Sequence, residues 1–174
     1  MTASAPISAD VPDWSREARS GHAWQPGRAL LQAIRAHQAA TASPSPLSGL
    51  RRRASTLRHR FWSVVTGADI PVNCQIGGGL LLPHPNGVVI HPGATIGPNC
   101  LIFQQVTIGA GGKPGFPRIG GHVDIGAGAK VLGGVTIGDH ARIGANAVVT
   151  SDIPARATAV GIPARVIAIA NEGA

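Results

Sequence analysis

Two histidines stand seven residues apart in an otherwise aliphatic and glycine-rich stretch, LLLPHPNGVVIHPGATIG, residues 80–97. An imidazole titrates near neutrality, so His84 and His91 could serve as general bases, as metal ligands or as ordinary turn residues. Two other groups of residues invite chemistry. Cys74 and Cys100 are the only thiols, but no CxxC pattern frames them. Five arginines crowd the run RRRASTLRHR, residues 51–60.

Composition narrows these choices. At 174 residues the chain can bury one core with a small accessory segment. No run of 18 apolar residues exists, so no membrane span is expected. The N-terminal stretch lacks a basic start and an apolar core, so no secretory signal is visible and a cytoplasmic location is expected. The net charge of +7 suggests a nucleic-acid partner, yet only 13% of residues are charged. Tyrosine is absent, and three Phe and three Trp cannot interleave the scattered basic residues into a base-stacking platform. No nucleic-acid partner is expected. A phosphate-bearing small ligand accounts for the basicity at least as well.

The elements that must position the histidines are set by a repeat. From Ile119 an aliphatic residue returns every six positions, at Ile125, Val131, Ile137, Ile143 and Val149. Earlier runs in other phases are Ile96, Ile102, Ile108 and Ile70, Ile76, Leu82, Val88. Two residues before these positions stands something small, such as Cys74, Ala94, Cys100, Ala129 or Ala141. Residues two apart in a strand share a face, so both members should point inward. That assigns the cysteines to packing. A strict period of six predicts a flat-sided coil of short parallel strands. The pattern resembles the hexapeptide-repeat family, which implies a mainly β, left-handed parallel β-helix over residues 69–168.

Before the coil, Leu30, Leu31 and Ile34 predict a helix within residues 28–40, followed by a linker, TASPSPLSG. Leu50, Leu57, Phe61, Trp62 and Val65 predict a second amphipathic helix running into the coil. Arg51, Arg52, Arg53, Arg58 and Arg60 are most simply its solvated face. A role near an anionic cofactor or a lipid-linked substrate is the alternative. Residues 1–13 read as loosely ordered. The expected layout is a short helical segment over 1–65, the β-helix over 66–168 and a tail over 169–174.

The repeat fails twice. The phase slips by two between Val88 and Ile96, just after Leu80 and Asn86 take the small inward position around His84. Residues 110–118, AGGKPGFPR, then leave the coil as a loop. Such departures collect at functional sites.

Within the hexapeptide family the chain resembles the serine O-acetyltransferases. TGADIP followed by IGGGLLLPHPNGVVI is similar to that family's catalytic segment. VTIGAGGKPG, IGAGAKVLGGVTIGDHARIGANAVV and AVGIPARVI are similar to its cofactor half and closing segment. The resemblance implies acetyl transfer from acetyl-CoA to a hydroxyl of a small polar acceptor, with His84 as general base and Asp69 orienting it. It implies that pantetheine lies against Gly109, Ala110, Ala127 and Ala145, with Arg142 and Arg165 toward the phosphates. It also implies a homotrimer with sites between subunits.

Two departures bear on the acceptor. Pro83 stands where those enzymes usually carry an Asp before the histidine. Gly115 and Phe116 stand where they carry an Arg-His pair, and Phe116 offers apolar contact instead. L-serine and a sugar hydroxyl are therefore both retained as acceptors, with Pro83 and Phe116 as candidate substrate contacts. A catalytically inactive β-helix scaffold is the non-enzyme alternative. A zinc enzyme resembling the β-helical carbonic anhydrases is the other. The close histidine pair of those enzymes, separated by four residues, is missing, so no metal is expected. His122 and His140 occupy equivalent corners and should form a stacked outward pair.

Overall fold

The structure is a computed structural model and describes residues 7–19, 21 and 24–170. Three narrow sheets form the sides of the coil. The first contains β1 (Gln75–Ile76), β3 (Thr95–Ile96), β6 (Arg118–Ile119) and β9 (Thr136–Ile137). The second contains β4 (Leu101–Ile102), β7 (Asp124–Ile125), β10 (Arg142–Ile143), β12 (Ala157–Val160) and β13 (Arg165–Ile169). The third contains β2 (Val89–Ile90), β5 (Thr107–Gly109), β8 (Lys130–Leu132) and β11 (Val148–Val149). The chain visits the sheets in rotation, so each strand pairs in parallel with its counterpart one coil away. Among the described strands only β13 folds back antiparallel, on β12.

The strands are short because each side of the coil has room for just two inward residues. Aliphatic members such as Ile102, Ile108, Ile125 and Val131 are fully buried, as are small members such as Ala94, Cys100, Ala129 and Ala141. They stack into one continuous core.

Register relocates the first break. Leu81 pairs with Leu101 and Val89 with Thr107. Eight residues therefore separate the second sheet from the third in the first coil, where later coils use six. Ile70 and Ile90 share the aliphatic column, as do Leu82 and Ile102, so Val88 belongs to the small column. The two extra residues lie between Leu82 and Ile90, on the His84 turn itself, rather than after Val88. Both slots point inward, and Val88 satisfies the count of six by coincidence. Leu80 is buried as expected, but Asn86 faces solvent.

The N-terminal part is anchored more firmly than its composition suggests. Of the residues read as loose, 1–6 lie outside the described residues, but 7–13 are strapped across the coil. The buried side chain of Asn99 accepts from the Asp13 N–H at 2.7 Å and donates to the carbonyls of Ser8 and Val11 at 2.8 Å each. A Cβ on Gly121 would collide with the Ala9 carbonyl, so glycine is needed for this approach. A 3-10 turn, Trp14–Glu17, then buries Glu17, which accepts two hydrogen bonds from Arg35 and one from the Leu80 N–H.

Helix α1 (Pro26–Ala42) buries Leu30, Leu31 and Ile34 in the coil's core. Helix α2 (Ser48–Thr66) ends at Gly67, whose φ of 64° suits glycine. Its packed side differs from the expectation. Ser55, His59 and Thr66 are buried, and His59 Nε2 donates to the Ile70 carbonyl at 2.7 Å. Leu50, Leu57, Phe61 and Val65 face solvent, and only Trp62 of the expected stripe packs against the core. The helix is amphipathic, but its apolar stripe points away from the coil.

Candidate active site

The corner between the second and third sheets forms a backbone column. Gly87 N–H donates to Gly67 O at 2.9 Å, Gln105 N–H to Asn86 O at 2.9 Å, Gly128 N–H to Gln104 O at 2.9 Å and Asn146 N–H to Ala127 O at 2.8 Å. The His84 turn is thus stacked under Gln104–Gln105, then Ala127, then Ala145, at about 4.8 Å per coil. Val148 N–H donates to Gly161 O, which brings the segment before Arg165 onto the top of this column. Arg142 lies on β10, three residues before Ala145. Its side chain is 74% exposed, with Nε 4.0 Å from the Asp124 carboxylate. Among the expected site residues, the structure gathers His84, Ala127, Ala145, Arg142 and Arg165 along one edge.

Asp69 joins them from the adjoining sheet. It bridges to Val89, its N–H donating to Val88 O and its carbonyl accepting from Ile90 N–H at 3.0 Å. It therefore heads the outward row Asp69, Val89, Thr107, Lys130, Val148. His84 and Asp69 are both exposed. Among the described residues neither side chain has a hydrogen-bond partner.

Gly109, Ala110 and Phe116 lie elsewhere, at the opposite end of the third sheet. The Phe116 ring folds back from the loop and stacks on His91, with centroids 4.1 Å apart. His91 Nδ1 accepts from the Gly93 N–H at 3.0 Å, which puts the proton of the neutral ring on Nε2. His91 is thereby a corner residue. Pro83 borders a different feature, a cavity of about 250 Å³ shared with Trp24, Gln25 and Arg28 at the start of α1. Trp24 and Arg28 had no signal in the sequence, because only the docking of α1 on the first coil brings them to Pro83.

Both cysteines are buried in the coil. Burial pushes the Cys74 thiol up to about 11, with Asp69 adding to the shift, and burial pushes the Cys100 thiol up to about 12. His122 and His140 do face each other on successive coils, with Nδ1 atoms 2.8 Å apart, but edge-on rather than ring over ring. Among the described residues no group of three or more His, Cys, Asp or Glu is placed to hold a metal ion. No described helix is long and apolar enough to cross a membrane.

Known proteins resemble this chain along the coil's repeat and beyond it. The pattern of the bacterial transferase hexapeptide family (six repeats) matches residues 116–151. A serine acetyltransferase of Synechococcus elongatus is 46% identical over 107 residues, covering 60% of this chain and 44% of that protein. Soybean serine acetyltransferase complexed with serine superposes with a TM-score of 0.68 at 41% identity, covering 82% of this chain and 57% of that one. The Brucella abortus serine acetyltransferase in complex with coenzyme A gives 0.72 at 31% identity, over 85% and 58% of the two chains. The coil is similar to those of hexapeptide-repeat transferases, and within them to the serine acetyltransferases. The chain spans about half the length of the curated relatives it matches.

Proposed function

We propose that the chain is an acetyl-CoA-dependent O-acetyltransferase, passing the acetyl group directly to the hydroxyl of a small polar acceptor. The observation that carries this reading is the single corner column holding the His84 turn, Ala127 and Ala145, with Asp69 on the adjoining sheet edge. The likeness of this coil to proteins solved with coenzyme A and with serine supports it, and supports a left-handed sense for the coil.

The chemistry follows from residue types. An alcohol is too weak an acid to attack a thioester unaided at neutral pH. His84 takes the hydroxyl proton as the C–O bond forms, and returns it to the departing thiolate sulfur. Asp69 holds the ring in the productive tautomer and stabilises the imidazolium. Ala127 and Ala145 leave the corner shallow enough for a pantetheine arm, and Gly109 and Ala110 do the same at the loop. Arg142 and Arg165 complement the nucleotide phosphates. The two ends of the third sheet, one with His84 and one with Phe116, become parts of a single site when copies pack side by side in a homotrimer.

L-serine is the acceptor that the relatives favour. A sugar hydroxyl is the second reading, favoured by Pro83 and by the Phe116 ring, which offer apolar faces where a charged amino acid needs ionic partners. Release of free thiol from acetyl-CoA, measured with L-serine and with a panel of sugars, tests both. If no acceptor of either class raises it above background, the reading fails and the inactive scaffold replaces it.

A further inference from the structure

The excess positive charge of this chain lies away from the proposed site. Between Ala18 and Ala68 there are eight arginines and no Asp or Glu, whereas the rest of the chain has seven basic and eight acidic residues, a net of −1. The whole excess therefore sits on the two-helix segment. Five of those arginines are on α2, and all five are exposed.

The same helix carries the apolar stripe that the coil does not use. Leu50, Leu57, Phe61 and Val64 recur at intervals of seven, four and three, and are 68%, 65%, 59% and 84% exposed. At 3.6 residues per turn they form one ridge, diametrically opposite the buried Ser55, His59 and Thr66. On the same geometry Arg53 and Arg60 border one edge of the ridge, and Arg51 and Arg58 border the other. Trp24, 73% exposed, adds an aromatic ring beside Trp62, whose other neighbour is Phe61.

We propose that this face of α2 docks on an anionic phospholipid surface, with the ridge in the acyl boundary and the two arginine rows at the phosphates. A helix that is apolar on one face, rich in arginine along both borders and free of acids has the composition of an interfacial helix. Charge argues against the same ridge of a second copy as the occupant. Pairing two ridges would set the arginine rows of both helices against each other with no carboxylate on either helix to compensate. Nucleic acid would leave the exposed leucines, Phe61 and Val64 without a role.

The test is flotation of the full chain with phosphatidylcholine vesicles, with and without phosphatidylglycerol. The chain should float only with the anionic vesicles, and less as salt is raised. Arg53→Gln and Arg60→Gln should each lower the partition constant about fivefold, and Leu57→Ser with Phe61→Ser should lower it more than about tenfold. All four positions are exposed, so circular dichroism should be unchanged. Equal binding to neutral vesicles, no binding to anionic vesicles at low salt, or unchanged binding by the Leu57/Phe61 variant would each overturn the proposal. Light scattering that shows the Leu57/Phe61 variant losing a self-association of the parent would assign the ridge to a second copy instead.

Discussion

The rings of His91 and Phe116 lie nearly parallel, 13° apart, across the mouth of the loop that interrupts the coil. Gly93 makes this possible, since a Cβ there would overlap the Phe116 ring. Phe116→Ala should raise the acceptor KM while leaving coenzyme A affinity unchanged. Its cost in stability should be about 1 kcal/mol, the size of one aromatic pair. Gly93→Ala should reproduce the KM effect by displacing the ring. Steady-state kinetics against each substrate separately checks the split, and an unchanged acceptor KM in both variants removes Phe116 from the site.

His84→Ala should reduce kcat by a factor of about 100 to 10,000 without weakening coenzyme A binding. On the proposed mechanism Asp69→Asn should also slow turnover, because the substituted side chain no longer offers the carboxylate that holds the ring's tautomer. Calorimetric titration with coenzyme A alongside the rate assay separates the roles. Lost binding with a retained rate would move His84 from the chemistry to the cofactor.

Glu17 and Arg35 form a nearly buried ion pair at 2.8 Å, and Arg35 also donates to the carbonyls of Ile76 and Gly77. Glu17→Ala leaves that guanidinium buried without its carboxylate and should cost about 3–5 kcal/mol. Urea unfolding measures this directly. A cost under about 1 kcal/mol would mean that the N-terminal strap contributes little to the fold.

The coil was legible because its signal is periodic: two inward residues per side, repeated, leave few other arrangements for Ile119 through Val149. Asp69 and His84 were joined as a proposed site only through a family resemblance, since nothing in their spacing alone brings them to one edge. What the sequence hid depends on docking between distant segments. Asn99 reads as a corner residue, yet its amide holds Ser8, Val11 and Asp13 from 86 to 91 positions away. The orientation of α2 was misread for a similar reason. Its leucines follow helical spacing, but His59 has a carbonyl to bind on the coil, and that side packs.

Cys74 and Cys100 should resist alkylation in the folded protein. Burial raises both thiols, to about 11 and about 12, so almost no thiolate exists at neutral pH. Ellman's reagent should react with neither until urea unfolds the chain and then with both. Fast reaction of either thiol in native buffer would show a coil that opens locally.

Acid should weaken the coil through His122. Burial, above all, holds its ring below the ordinary histidine value, with Asp124 opposing and His140 adding to the shift. Below about pH 6.5 the unfolded chain therefore takes up this proton before the folded one does. The stabilisation is complete above that value and is lost as pH falls through the depressed folded value. The Nδ1–Nδ1 hydrogen bond to His140 acts in the same direction, since it needs one unprotonated nitrogen. His122→Asn tolerates the left-handed φ of 51° and should flatten the dependence. Urea midpoints at about pH 7.5 and about pH 5.5 should separate for the parent chain and converge for the variant. Equal separation in both would place the acid sensitivity on another group.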